Sequence, residues 1–275
     1  MNFISRANKA INYILNPLNI EISKRNESIS IRVLKQLYEN LILEVQGYYN
    51  EFKSPNYIIN VERNRLLQKL LGTGITEAMN IVDCVQKADN LNGDICEFGI
   101  AQGATSALLA NEIIKNNKTL WLFDSFKGLP QPTEKDILID DIFNLGKIEK
   151  YAGKMAVGVE SVIERLSEID FPLSRVNIVA GFIEDTIKNR KMPEMVSFAY
   201  IDFDFYFPTK IALEYLDKVL CQGGNIIVDD YGYFSTGVKM AVDEFISMAK
   251  TDYSITISKE YEGHFVIIKK NINKK

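Results

Sequence analysis

In the stretch DICEFGIAQGATS, spanning Asp94 to Ser106, an acid at Glu97 closes an apolar run and Gly99 and Gly103 frame a turn that opens into Ala-rich sequence. A turn of this kind can serve a dinucleotide, a nucleoside triphosphate, S-adenosylmethionine, or nothing but the backbone. It is not GxGxxG, because the middle glycine that lets backbone approach a pyrophosphate is missing, and no GK[ST] follows as a P-loop requires. Glu97 beside the turn would repel a pyrophosphate, whereas it can meet an ammonium or other cationic group. S-adenosylmethionine carries an α-ammonium and a sulfonium. More acids end other apolar runs: Asp124 in LFDSF, Asp202 and Asp204 in YIDFDFY, and Asp229 with Asp230 in NIIVDDY.

A carboxylate at the position of Asp124 can take both hydroxyls of a ribose, a role common to NAD and S-adenosylmethionine sites, or it can cap a turn. Asp202, Asp229 and Asp230 would converge at one edge of the same crevice if the runs that carry them lie side by side. Carboxylates at close range repel one another unless they are protonated or bridged by a cation. Oxygen donors of this kind suit Mg²⁺ or another hard divalent ion. Such an ion lowers the pKa of a coordinated alcohol and fixes its oxygen for attack, and a carboxylate of the cluster can take the proton. Asp204 shares a face with Asp202 by the two-residue period of a strand, or else orients the loop that follows. His264, the sole histidine, stands in EGHFVIIKK. A lone histidine there is ordinarily a surface residue, yet its expected place beside the fifth strand makes it a second candidate base. Tyr206, Tyr231, Tyr233 and Phe234 either line an acceptor pocket or pack the rim.

The elements that must position these groups follow from periodicity. Short β-rich runs, DICEF, TLWLF, VNIVA, FAYID and NIIVD, alternate with helical stretches at 105–115, 157–169, 183–190 and 209–220, the last stopped by Gly223-Gly224. Strand-helix alternation predicts a parallel sheet with helices on both faces, and ligands of such sheets bind beyond the carboxyl ends of the strands. YSITIS and HFVIIKK are joined without room for a helix, which predicts a terminal antiparallel hairpin. The fold class expected is therefore α/β, a Rossmann-like seven-stranded sheet of five parallel strands plus that hairpin. A helical extension over 1–90 precedes the domain at 91–275; within it TEAMNIVDCVQKA has helical spacing with Thr76 as cap. The polar, Pro-bearing stretch 127–156 has the length of a lid over a site.

Composition removes other classes. Lys and Arg total 32 against 36 Asp and Glu, a net charge of −4, so no global positive field draws the chain to nucleic acid. No run has the length of a membrane span, and the first 30 residues do not read as a signal peptide. Three scattered cysteines, Cys84, Cys96 and Cys221, read as thiols of a reducing cytoplasm.

Taken together, ICEFGIAQGATS, LFDSFKGLP, AGFIEDTI, YIDFDFY, GGNIIVDDYG and AVDEF, in this order and spacing, resemble the macrocin O-methyltransferase (TylF-type) family of S-adenosylmethionine-dependent enzymes, from about Arg63 onward. The resemblance implies methylation of a hydroxyl, typically on a sugar of a natural-product glycoside, a requirement for Mg²⁺ and a homodimer. It implies metal ligation by Asp202, Asp229 and Asp230, with Asp202 also the general base. Cofactor contacts carry over to Glu97, Gly99, Gly103, Asp124 and Ser125, and to Gly181 and Phe182 near the adenine; Phe98, Thr105, Ser106 and Asp202 complete the candidate set. Phe182 stands where the family often has Trp and Lys239 where Arg is common, and the helical extension differs from the family's usual N-terminus. A macrolide sugar, a surface polysaccharide sugar and a phenolic glycoside all stay open as acceptors. An NAD-dependent sugar oxidoreductase or epimerase, and a non-catalytic partner of the same fold, are the competing readings.

Overall fold

The computed structural model describes residues 27–53, 60–249, 252–259 and 262–272, with side chains from Val33 onward. Seven strands form one sheet in the order β3-β2-β1-β4-β5-β7-β6. They are β1 (Asp94–Phe98), β2 (Leu120–Asp124), β3 (Val176–Ala180), β4 (Val196–Ile201), β5 (Leu220–Val228), β6 (Tyr253–Ile257) and β7 (Val266–Lys270). The first five pair parallel, and β7 runs antiparallel to both β5 and β6, as the alternation and the missing crossover require. The helices are α1 (Glu27–Tyr48), α2 (Val61–Gln68), α3 (Ile75–Ala88), α4 (Ala104–Glu112), α5 (Val159–Ser167), α6 (Ile183–Asn189), α7 (Tyr206–Val219) and α8 (Thr236–Ala249). Among them no helix is long and apolar enough to cross a membrane.

Three local expectations change. Gly223 and Gly224 do not stop a helix; α7 ends at Val219, and both glycines lie inside β5. There the pairing with β4 slips from Val196↔Leu220 to Phe198↔Asn225, and the surplus residues bulge with Gly223 at φ +81°. Helix α3 begins at Ile75, with Gly74 rather than Thr76 at its cap. Helix α8 was not among the expected stretches; it covers the sheet beside α7 with Val238, Val242 and Phe245.

Alternation within the strands builds two cores. Ile95, Leu122, Phe198 and Tyr200 face one side, where α1 to α5 lie. Cys96, Phe98, Phe123, Ala199 and Ile201 face the other, with α7 and α8. The first cluster includes Ile42 and Tyr49 from the start of the described chain, Leu66 and Leu67 of α2, and Met79, Ile81 and Val82 of α3, so these helices and the sheet share one core. A buried ion pair locks them together: Arg63 of α2 donates from Nε to Glu112 Oε1 of α4 at 2.6 Å, with side chains 1% and 2% exposed. Gln86 of α3 also donates to Glu112. A pair this deep contributes little net stability, but losing one member strands the other's charge.

The segment 127–156 is a strap stitched to the loop after β5. Leu138 bridges Ser235, Ile139 N donates to Phe234 O at 2.9 Å, and Thr236 N donates to Ile137 O at 3.0 Å. Asp136 is buried and accepts from Tyr206 N at 2.7 Å, capping α7 from a distant part of the chain. Gly237 has to be glycine, because a Cβ there would stand 1.9 Å from Asp136 Oδ1. Beneath the strap Ile148, Tyr151, Phe205 and Phe234 form a small core of their own.

Candidate active site

The crevice lies at the carboxyl ends of β1, β2, β4 and β5, and one glycine sets its width. Gly99 has φ +86°, and a Cβ there would stand 1.9 Å from the Asp202 carbonyl oxygen. No side chain fits, so the turn after β1 packs directly on the end of β4, where Asp202 N donates to Phe98 O at 2.7 Å. Gly103, at φ +78°, begins α4 against Val162 of α5.

Glu97, Gly99, Gly103, Ser106 and Asp124, all predicted cofactor residues, meet around this turn. Glu97 is 0% exposed, and its Oε2 accepts a short hydrogen bond from Ser106 Oγ. Its Oε1 has no partner. Burial pushes the Glu97 carboxyl up to about 8, against the pull of the Ser106 bond and with a smaller push from Asp124. A buried, unsatisfied carboxylate oxygen is costly and fits a cationic ligand atom such as an α-ammonium. Thr105 faces elsewhere, its hydroxyl 3.0 Å from that of Thr73.

Asp124 is occupied by its own turn: Oδ2 accepts from Ile100 N at 2.8 Å and Ala101 N at 3.3 Å, and Oδ1 from Phe126 N at 2.7 Å. About one of its roughly four acceptor sites is left for a ligand. Ser125 closes the next loop by donating to Gly128 O at 2.8 Å. Gly181 N donates to Asp124 O at 2.9 Å, which sets Gly181 and Phe182 beside this carboxylate.

Across Gly99 the carboxylates face one another. Asp202, Asp204 and Asp230 bring one oxygen each within 4.8 Å of the others. Asp204 and Asp230 sit at φ +63° and +56°, left-handed positions that Asp tolerates better than most residues. Burial holds all three well above the usual carboxylate range, helped by the charge of Asp229 on Asp202 and Asp230 and by that of Asp202 on Asp204. This donor set fits a hard divalent cation, whose charge would offset the repulsion.

Asp229 lies outside that triad. Its Oδ1 accepts from Asp230 N at 2.8 Å and its Oδ2 from Tyr200 OH at 3.2 Å. The same hydroxyl is 3.2 Å from Oε1 of Glu77, a residue of α3 that is 4% exposed. Burial and the facing Asp229 charge drive the Glu77 carboxyl well above its ordinary range. Glu77 went unremarked in the sequence because an acid in a first helical turn is ordinary there; Asp204 carried a signal, its two-residue spacing from Asp202.

His264 lies in the bend before β7, exposed, its ring stacked on Tyr233 at 4.3 Å and 7°. Tyr233 OH donates to Asp140 of the strap at 2.7 Å, while Phe234 is core and Tyr231 is tied to Asp243 and Lys239 on α8. The chain carries Tyr-x-x-x-Lys spacings at Tyr49–Lys53 and Tyr206–Lys210, as short-chain oxidoreductases use. Tyr206 OH is spent on Glu244 at 2.6 Å and on Lys135, and Lys210 reaches Glu214 and Glu244.

A sheet ordered 3-2-1-4-5-7-6 with β7 as its one reversed strand, opening on an acid-flanked glycine turn, defines the S-adenosylmethionine-dependent methyltransferase fold. Two solved structures share it: the O-methyltransferase NovP, at 23% identity and a TM-score of 0.63 over 86% of this chain and 100% of that one, and the calicheamicin methyltransferase CalS11, at 18% and 0.56 over 91% and 94%. Within that class the chain belongs to the macrocin-O-methyltransferase (TylF) family, which it matches over residues 70–259. Among its relatives is the mycinamicin III 3''-O-methyltransferase of Micromonospora griseorubida, 28% identical over 58% of this chain and 63% of that protein. The 8-demethyl-8-(2,3-dimethoxy-alpha-L-rhamnosyl)-tetracenomycin-C 4'-O-methyltransferase of Streptomyces olivaceus is 28% identical over 58% and 61%. The demethyldecarbamoylnovobiocin O-methyltransferase of Streptomyces niveus is 29% identical over 68% and 72%. The match thus spans a little under two thirds of the first two relatives.

Proposed function

We propose that this protein is a divalent-metal-dependent O-methyltransferase that moves a methyl group from S-adenosylmethionine to a sugar hydroxyl, in a natural-product glycoside or a surface polysaccharide. The observation that carries the reading is the contact at Gly99, which sets the unpartnered Glu97 oxygen on one side of a turn and the Asp202 cluster on the other. The named relatives that act on glycosides, on the mycinamicin and rhamnosyl-tetracenomycin scaffolds, support the acceptor class.

Glu97 Oε1 accepts from the cofactor's ammonium, and the remaining acceptor capacity of Asp124 receives a ribose hydroxyl, with Gly181 and Phe182 beside the base. Asp202, Asp229 and Asp230 hold Mg²⁺, with Asp204 close enough to Asp202 and Asp230 to share in it. When bound, the cofactor supplies an electrophilic methyl and the cation supplies charge that orients an acceptor hydroxyl and favours its ionisation. Asp202, at the end of β4 beside the Gly99 turn, takes that hydroxyl's proton on a carboxylate oxygen. His264, exposed and stacked on Tyr233, belongs to the acceptor-facing rim in this reading, and Asp202 is the base. Dimer formation is part of the proposal and is read by light scattering.

Calorimetry with S-adenosylhomocysteine tests the cofactor half, and turnover on rhamnosyl glycosides with and without chelator tests the metal half. No binding of the cofactor product would defeat the reading, and chelator-insensitive turnover would remove the metal from it.

A further inference from the structure

Helix α3 delivers one acidic side chain, Glu77, to the crevice from a mostly apolar inner face. Its inner face is built from Ala78, Met79, Ile81, Val82 and Val85, all essentially without exposure, and Glu77 is buried among them. An acid in a first helical turn is usually explained by the helix dipole, but such an acid gains as much by pointing into solvent. Here the carboxyl is turned inward, and its Oε1 lies 3.2 Å from Tyr200 OH, which itself lies 3.2 Å from Asp229 Oδ2. Asp230 N holds the other Asp229 oxygen at 2.8 Å. Asp229 is therefore gripped at both oxygens, with lone pairs left over for a further partner.

We propose that Glu77 and Tyr200 are positioning residues that lock Asp229 in the orientation in which it holds a divalent cation, so that α3 is part of the site. The inference rests on the metal reading above and adds to it the groups behind the ligand. Tyr200 is 1% exposed and rises from β4 between β1 and β5, a fixed post against which the Asp229 carboxylate cannot rotate. Hydrogen bonds to a ligating carboxylate of this kind are worth about 10- to 100-fold in metal affinity.

The test measures Mn²⁺ binding by electron paramagnetic resonance, with S-adenosylhomocysteine affinity measured on the same samples. Tyr200→Phe removes one oxygen and leaves the ring's packing, so it decides the matter even where Glu77→Ala folds poorly. Tyr200→Phe and Glu77→Ala are expected to weaken Mn²⁺ about tenfold while S-adenosylhomocysteine binds as before. Glu77→Gln, whose amide can donate where the acid stood, is expected to stay within about threefold of the parent protein. Unchanged Mn²⁺ affinity in Tyr200→Phe overturns the inference and leaves the metal reading intact, as does a parallel loss of both ligands, which would mark a merely structural role. A parent protein that binds no Mn²⁺ overturns the metal reading itself, and the inference with it.

Discussion

The two sides of Gly99 use the same residue type in opposite ways. On the β1–β2 side the chain itself satisfies its acids: Asp124 accepts three backbone N–H groups and Glu97 accepts from Ser106, leaving one oxygen orphaned. On the β4–β5 side Asp202, Asp204 and Asp230 face one another, and burial, followed by the repulsion of neighbouring carboxylates, raises the proton affinity of each. One side is a hydrogen-bonded scaffold in which Glu97 Oε1 alone is buried without a partner. The other is a repulsive cluster that something positive, a proton or a metal ion, must complete.

Charge-removing substitutions should separate the two sides most sharply. Asp202→Asn is expected to lower kcat by about 10²- to 10⁴-fold, the usual worth of a positioned base, while raising the melting temperature of the chelated protein by relieving repulsion. Asp124→Ala should do the reverse to stability, costing about 1–3 kcal/mol as buried N–H groups lose their acceptor, as denaturant titration would show. Both variants shifting stability in the same direction would break the comparison. Next in size, Glu97→Gln should weaken S-adenosylhomocysteine by about 2 kcal/mol, roughly 30-fold by calorimetry, because a charged hydrogen bond to the ammonium becomes neutral.

A smaller effect sharpens the same contrast through pH. The carboxyls of the Asp202 cluster have folded-state pKa values above their unfolded ones, so the stability they contribute is present below the unfolded value and lost as pH rises through the folded one. The metal-free protein should accordingly lose stability as pH climbs above the ordinary carboxylate range. Mg²⁺ should restore more of it at pH 8 than at pH 6, by differential scanning fluorimetry; equal shifts at the two pH values would count against metal binding by the cluster. Smallest is the proton count of cofactor binding. Glu97, held up to about 8, must ionise to meet an ammonium, so binding at pH 7 should release close to one proton, read as a dependence of the binding enthalpy on the buffer.

The fold was legible in the sequence because short β-rich runs alternate with helical stretches, the pattern of a parallel sheet. DICEF and VNIVA coincide with β1 and β3, and the short link between YSITIS and HFVIIKK foretold the reversed β7. What escaped depends on contacts between distant segments. Gly223-Gly224 reads locally as a helix stop, and only pairing with β4 makes it a bulge. Asp202 and Asp230 are legible as strand ends, and the two-residue spacing points to Asp204, but what brings Asp204 to the cluster is a left-handed turn beyond the end of β4. Glu77 reaches the site only because α3 lies across the sheet over Tyr200, a relation between residues more than a hundred positions apart. Asp136, which caps a helix 70 residues away, is another case.

The strap over residues 136–140 combines permanence with freedom, one residue apart. Asp136, Leu138 and Asp140 turn inward to the helix cap, the small core and Tyr233, while Ile137 and Ile139 turn outward, 64% and 53% exposed. Because neighbours in an extended segment point opposite ways, the outward pair can be exchanged for larger, smaller or polar side chains without unpicking the seam. A lineage, or an engineer, thus has two positions at which side chains can drift while the architecture holds still.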